Sequence, residues 1–240
     1  MDINWHNRYT EQAGWTRPIR QYLLGLLNLG ENAPILEVGC GTGAVRPDLA
    51  GCNWFGADID LPTLQVAQRN FADDGQYLVN ADGYALPFVG EHFRLVYGHY
   101  VLLWQKDPVA FLKEMARVAA PGGYVALFAE PDYLGRIDTP AGNGLLGSSQ
   151  NHSLRQQGCR LDAGRNLASH MVAAGLHNVR YGVIGGEWQV GKTVESLENM
   201  VLQHDLQKVG EARQNREEDA GFVYVPTFYG VGAVEKTAMV

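Results

Sequence analysis

Ile35-Leu36-Glu37-Val38-Gly39-Cys40-Gly41-Thr42-Gly43 decides the fold. A short apolar run from Pro34 to Val38 reads as a strand, and it enters a loop in which three glycines alternate. A helix is expected to follow the loop. Glycine tolerates positive φ and lets a ligand come close to the backbone. In an open parallel sheet, ligands bind beyond the carboxyl ends of the strands, which is where this loop lies. Taken alone, the loop leaves its ligand open. Gly39, Gly41 and Ala44 also satisfy G-x-G-x-x-[GA], the dinucleotide pattern.

Three acids around the loop narrow the choice. Asp58 closes a second strand, Asn53 to Asp58, nineteen residues beyond Gly39. A carboxylate at that place accepts hydrogen bonds from two ribose hydroxyls. Asp60 is the better candidate to cap the helix that follows. Glu37 precedes the glycines. It would repel the pyrophosphate that a dinucleotide site holds at a helix N-terminus, so it suits a cationic ligand better. Asp82 follows a third strand, Gln76 to Ala81, and its plain reading is an Asx turn.

Further along, strands alternate with helical stripes, the βαβ signature of a parallel sheet. Phe93 to Gly98 and Gly123 to Glu130 read as strands, nearly continuous in apolar residues, as expected for strands covered on both faces. Asp107-Pro108 starts a helix with a cap and a proline at its first position. Leu112, Met115, Ala116 and Ala119 mark its buried stripe, and Pro121-Gly122-Gly123 stops it. Near the N-terminus, Ile19, Tyr22, Leu23, Leu26 and Leu27 form a helical pattern before Gly30, which makes residues 1–30 a helical cap. The periodicity breaks at 131–160, which reads as a lid loop. A helix capped by Asp162, a sixth strand Val179 to Ile184, a polar helical insertion at 187–219 and a seventh strand Phe222 to Val234 complete one domain over 1–240. Pro226 should break or bulge the last strand.

The 240 residues are 46% hydrophobic and 19% charged, enough for a sizeable core and unlike a disordered chain. Nineteen Lys and Arg against 26 Asp and Glu give a net charge of −7. The basic residues are scattered, which argues against a nucleic-acid partner. Cys40, Cys52 and Cys159 form no zinc-type spacing, so no metal site is expected, and their sparse, odd number fits a reducing compartment. The polar N-terminus shows no signal peptide and no stretch is apolar enough to span a membrane. The expectation is a cytoplasmic protein.

Together these stretches resemble the class I S-adenosylmethionine (SAM)-dependent methyltransferases, in particular the small-molecule branch with the ubiquinone/menaquinone-type enzymes. The similarity is strong from Ile35 to Glu130 and weak elsewhere. Ile35 to Gly43 is similar to the family's first motif, with Glu37 as its acid. GADIDLPTL, Gly56 to Leu64, resembles the second and carries Asp58 as the ribose acid. NADGYALPF, Asn80 to Phe88, resembles the third, which implies Asp82 on the adenine amino group and Gly83 beside the ring. FRLVYGHYVLLWQKDP and LKEMARVAAPGG match the regions around the fourth strand and the helix after it. The resemblance implies SAM as cofactor, bound by Glu37, Gly39, Cys40, Gly41, Asp58, Ile59, Asp82, Gly83 and Gly98. It also implies a doubly wound, seven-stranded, mostly parallel α/β sheet (Rossmann-like) whose seventh strand is antiparallel.

In related enzymes the N-terminal segment folds over the cofactor. Tyr9, Trp15, Thr16 and Arg17 stand just before the first helical pattern, and Arg17 is the candidate partner of the SAM carboxylate. His99 is the candidate general base, its plain alternative being a hydrogen-bonded pocket wall. Gly98-His99-Tyr100-Val101 lacks the Asn/Asp-Pro-Pro-Tyr/Phe sequence of nucleic-acid amino methyltransferases. Glu130 and Asp132 at the pocket mouth are candidates to bind a cationic substrate, their plainer reading being to orient the loop; His152 on the lid is a weaker candidate, and Trp104 and Trp188 are candidate walls for the acceptor. A small-molecule O, N or C acceptor is expected. Two rivals stay open: an NAD(P)-dependent oxidoreductase with the same loop, and a SAM-binding sensor or partner subunit without catalysis. The sequence names neither the acceptor nor the oligomeric state.

Overall fold

The computed structural model describes residues 5–49, 51–71, 77–139, 144–184 and 222–235. The expected insertion at 187–219, and Trp188 with it, lies outside the described residues.

Seven strands make the main sheet: β1 (Pro34–Val38), β2 (Asn53–Asp58), β3 (Tyr77–Asn80), β4 (Phe93–Gly98), β5 (Ala119–Pro131), β7 (His177–Ile184) and β9 (Thr227–Ala233), in the order β3-β2-β1-β4-β5-β9-β7. β9 runs antiparallel to both β5 and β7, while the pairings from β3 to β5 are parallel. The doubly wound mixed sheet expected from the sequence is therefore present. The central strands β1, β4 and β5 are mostly buried, whereas the edge strands β3 and β7 have only intermediate and exposed residues.

The long helix α1 (Trp5–Leu27) and α2 (Leu61–Asn70) cover one face of the sheet, against Ile35, Leu95, Tyr97 and Phe128. α3 (Pro108–Val118) and α5 (Leu167–Ala173) cover the other, against Leu36, Val96, Val125 and Leu127. Alternate residues of each strand thus serve opposite cores, as the two-residue strand period requires. Asp107 caps α3 through its side chain, which accepts the Ala110 N–H at 3.0 Å. Asp60 stands at the cap position of α2 without a side-chain cap bond.

Four local expectations need correction. The glycine loop is followed not by an α-helix but by a 3-10 turn, Arg46–Leu49. Pro47 has no N–H to give to an α-helix running on from the loop. The first helix begins at Trp5, not near Ile19, so Tyr9, Trp15, Thr16 and Arg17 lie inside it. Its buried stripe is Ala13, Thr16, Arg20, Leu23 and Leu27, while Tyr22 and Leu26 are exposed. The segment 131–160 is not a structureless loop: it holds a 3-10 turn at Tyr133–Gly135, the strand β6 (Ile137–Thr139) and the helix α4 (Gly144–Gln156). Finally, Phe222 to Val234 is two strands. β8 (Phe222–Tyr224) pairs with β6 in a small second sheet, and Pro226 separates it from β9.

Candidate active site

The carboxyl ends of β1, β2, β4 and β5 open into one cleft of about 1280 Å³, walled also by α1, α4 and the turn after β4. That exceeds the ~300–1,000 Å³ of an ordinary small-molecule pocket. Glu37, Gly39, Cys40, Gly41, Asp58, Ile59, Asp82, Gly83 and His99 all line it, so residues scattered over 63 positions of sequence meet in one place.

The glycine loop is folded back onto β2. Gly39 and Cys40 donate backbone N–H groups to Ala57 O at 2.8 and 3.1 Å. Gly41 donates to Asp58 Oδ2 at 2.6 Å, and Asp60 N–H reaches Asp58 Oδ1 at 2.8 Å. Gly39 has φ +76° and a side chain there would strike Val101 at 2.6 Å. Gly41 has φ +49°, and a Cβ on it would find only Tyr9, at 4.0 Å, because it opens onto the cleft. Cys40 contributes backbone alone, since its thiol is buried and packs towards Gly56 of β2. Asp82 takes the Tyr84 N–H at 2.9 Å, the Asx turn foreseen for it, and remains exposed in the wall. Ile59 is 71% exposed, an apolar side chain presented to the opening.

Glu37 is 2% exposed and shares its β1–β4 register position with Tyr97, so both side chains leave the same face. Tyr97 donates its hydroxyl to Glu37 Oε2 at 2.9 Å and accepts Trp54 Nε1–H at 2.9 Å. Burial pushes the Glu37 carboxyl up to about 8 against these hydrogen bonds. Burial also raises Asp58, opposed by the backbone N–H groups that it accepts.

Two expected members stand elsewhere. Gly98 is buried under Val101 and Leu127, with no part in the cleft wall. Arg17 does not line the cleft either: its Nε lies 2.7 Å from Asp48 Oδ1. The early start of α1 places Arg17 one position beyond the buried Thr16, on an outer face of the helix.

A polar chain that the sequence did not announce runs behind His99. His99 Nε2 is 2.8 Å from Thr16 Oγ1. Arg20, 1% exposed, donates to Thr16 Oγ1 through one guanidinium nitrogen and to Asp48 Oδ2 through two others, Nε at 3.0 Å. Burial, and then the nearby Arg20 guanidinium, push His99 down to about 3. The ring is therefore neutral at pH 7 and a weak base. The only hint in the sequence was spacing: Thr16 and Arg20 fall on the stripe with Ala13, Leu23 and Leu27.

The weaker candidates separate clearly. Glu130 is fully buried and accepts backbone N–H groups from Val101, Leu102 and Leu103 at 3.0 to 3.3 Å. It holds the turn after β4. Asp132 binds Arg165 Nε at 2.6 Å and stays out of the cleft wall. Trp104, 48% exposed, and His152 do line the cleft. His152 belongs to a stripe on α4 with Ser149, Ser153 and Gln156, spaced for one helix face. Its serines and glutamines carry no apolar periodicity, so the sequence there reads as loop.

The donor set fits SAM better than a dinucleotide. Carboxyls from Glu37, Asp58, Asp60 and Asp82 stand in the wall, against Arg8 and Lys106 as its basic side chains. The glycine loop leads into a 3-10 turn, so it offers no α-helix N-terminus to a pyrophosphate, and its Gly41 N–H already serves Asp58.

Comparison with known proteins agrees. Residues 36–127 match the methyltransferase domain family. The chain is 37% identical over 120 residues to a malonyl-[acyl-carrier protein] O-methyltransferase of Pseudescherichia vulneris, covering 49% of this chain and 47% of that one. It is 30% identical over 181 residues to the demethylmenaquinone methyltransferase of Bacillus licheniformis, covering 68% of this chain and 78% of the relative. The chain spans about half the length of the malonyl-[acyl-carrier protein] relatives that it matches. Among solved structures, the geranyl diphosphate C-methyltransferase of Streptomyces coelicolor superposes with a TM-score of 0.60 at 12% identity, over 89% of this chain and 74% of that one. The folded-back glycine loop, the acids around it and the 78% coverage of a relative at 30% identity lead to one assignment: the chain belongs to the class I SAM-dependent methyltransferases.

Proposed function

We propose that this protein transfers the methyl group of SAM to a small-molecule acceptor at oxygen, nitrogen or carbon. The observation that carries the reading is the closed unit of glycine loop and Asp58, with Gly41 N–H on Asp58 Oδ2 at 2.6 Å, opening onto a cleft larger than one ligand needs. Asp58 would accept the ribose hydroxyls, and its two oxygens keep lone pairs for that beyond the backbone N–H groups they already hold. The backbone of Gly39, Cys40 and Gly41 would lie along the cofactor, Glu37 behind it, and Asp82, Gly83 and Ile59 around the adenine. Tyr9 and Trp15 of α1 would close the near side of the cleft.

Bound SAM supplies a methyl group already activated by its positive sulfur. The residues of the chain need only align the acceptor with it and exclude water, and such positioning is worth on the order of 7–11 kcal/mol of barrier. A dedicated base is not required. The acceptor would enter the half of the cleft formed by Tyr100, Trp104, Tyr133 and the polar stripe of α4, which makes the 131–160 segment the acceptor-binding cover of a single domain. No helix among the described residues is long and apolar enough to cross a membrane. The three free thiols and the charge of −7 support a cytoplasmic place and no nucleic-acid substrate.

Calorimetric titration with SAM, S-adenosylhomocysteine and NADH tests the reading, followed by methyl transfer from labelled SAM to a panel of acids, phenols and amines. Binding of both SAM ligands with labelled product is the expected result. NADH binding without SAM binding would overturn it, and SAM binding with no product from any acceptor would favour the sensor.

A further inference from the structure

His99 faces the cleft with one ring nitrogen held and the other not. Nε2 is bound to Thr16 at 2.8 Å, and Nδ1 has no hydrogen-bond partner among the described residues, in a ring that lines the cleft. Which nitrogen carries the proton follows from what surrounds Thr16. Its oxygen accepts an N–H from Arg20, whose charge is tied in place by Asp48. A hydroxyl beside a fixed guanidinium turns its hydrogen away from the cation. Two acceptors are within reach of that hydrogen: His99 Nε2 at 2.8 Å and Ala13 O at 3.3 Å. The Ala13 carbonyl belongs to α1, and its bond is the longer. An Nε2–H on the same oxygen would make it accept twice beside a cation and leave the Thr16 hydrogen only the longer bond to Ala13 O. The favourable arrangement is Thr16 Oγ1–H donating to Nε2, which places the ring proton on Nδ1.

We propose that Thr16 and Arg20 hold His99 as a neutral hydrogen-bond donor, and that its Nδ1–H receives a negatively charged oxygen of the methyl acceptor. This deepens the methyltransferase reading and rests on it for the identity of the bound molecule, though not for the state of the ring. The rest of the wall agrees. Among the described residues, every carboxyl that lines the cleft sits at the ends of β1 to β3 and their loops. On the other side, Glu130 is turned onto backbone N–H groups and Asp132 onto Arg165, while Lys106 and the serine- and glutamine-bearing stripe of α4 face the opening. Among the described residues that half offers Lys106 and no carboxyl in the cleft wall, which suits an acid better than a cationic amine. A carboxylate would rest one oxygen on Nδ1–H and attack with the other, and a phenolate would attack with a different lone pair of the same oxygen. In either case the acceptor oxygen forms the new C–O bond as the C–S bond breaks, sulfur keeps that bond's electron pair, and no proton has to leave. His99 is then not the base that its place in the sequence suggested. Thr16 and Arg20 are positioning residues that act through it.

Long-range proton–nitrogen NMR of the full chain labelled with 15N-histidine reads the ring directly, with His99 assigned by the signals lost in His99→Gln. At pH 7, before any ligand is added, His99 should show a protonated Nδ1 and an unprotonated Nε2. An Nε2–H tautomer or a doubly protonated ring overturns the proposal. Thr16→Val should redistribute the ring proton towards Nε2, and Thr16→Ser should restore the wild-type pattern; a Thr16→Val spectrum identical to wild type also overturns it. The substrate class is read on the chain saturated with S-adenosylhomocysteine, using millimolar benzoate, 4-nitrophenolate at pH 8 and benzylamine. A downfield move of the His99 Nδ1–H proton with benzoate identifies a carboxylate acceptor, and with 4-nitrophenolate a phenolate. A response to benzylamine alone, or to none of the three, overturns the acidic-acceptor assignment. Failure of S-adenosylhomocysteine to bind would count against the methyltransferase reading and leave the tautomer measurement standing.

Discussion

The Gly41 N–H donates to Asp58 Oδ2 at 2.6 Å, so the acid that closes β2 also holds the loop that leaves β1. One side chain thus shapes the floor of the cleft and presents its remaining lone pairs to what lies there.

Removing Asp58 should therefore cost more than one ligand contact. Asp58→Ala is expected to weaken S-adenosylhomocysteine binding at least tenfold, since charge-assisted hydrogen bonds of this kind are each worth about 1.5–3 kcal/mol. Asp58→Asn keeps a carbonyl for the Gly41 N–H and should lose less. Calorimetry on the two variants checks this, and equal losses would separate the loop from the effect.

Glu130 should be structural. Glu130→Ala leaves the N–H groups of Val101, Leu102 and Leu103 without their buried acceptor. The expected cost is about 2–4 kcal/mol of unfolding free energy, built from ~1–3 kcal/mol for each buried group left unpaired and partly offset by relaxation. Urea denaturation measures it. A variant as stable as wild type would show that the turn after β4 does not depend on this carboxyl.

Glu37 predicts a pH dependence. Its folded value is about 8 against an ordinary 4.5, so between these limits the folded protein binds more proton than the unfolded chain. Stability from this group is thus fully present below about pH 4.5 and is lost as pH rises towards 8. Glu37→Gln, which stays neutral, should flatten the fall in stability across this window and be at least as stable as wild type at pH 8.5. Thermal melts from pH 5 to 9 test it, and an unchanged slope would contradict the assignment.

Asp48 is predicted to hold α1 to the turn after the glycine loop. Asp48→Ala leaves Arg20 as an uncompensated charge at 1% exposure. Breaking a buried pair from one side costs about 3–5 kcal/mol. Chemical denaturation gives the number, and a loss below 1 kcal/mol would show that water or another group replaces the carboxylate.

Much of the architecture was legible because it is local. Apolar runs ended by glycine or an acid marked the strands of the main sheet, and Asp107-Pro108 marked the start of α3. Two departures have separate causes. The loop pattern alone predicts a helix after it, and Pro47 offers no N–H to one. α4 reads as loop because its stripe faces a polar cleft, where periodicity carries serine and glutamine instead of leucine. The insertion expected at 187–219 lies outside the described residues.

By itself the sequence determined the glycine loop, its neighbouring acids and hence the cofactor class, because backbone freedom and side-chain charge are properties of single residues at short spacing. Only the tertiary structure decided what the loop and His99 touch. Gly41 meets Asp58 through the pairing of β1 with β2, and His99 meets Thr16 because α1 packs across the sheet, 83 residues away in sequence. Contacts of that range depend on how helices and strands stack, and burial then alters the chemistry. The same imidazole that would be a neutral-pH base in water is pushed down to about 3 by burial and by the nearby Arg20.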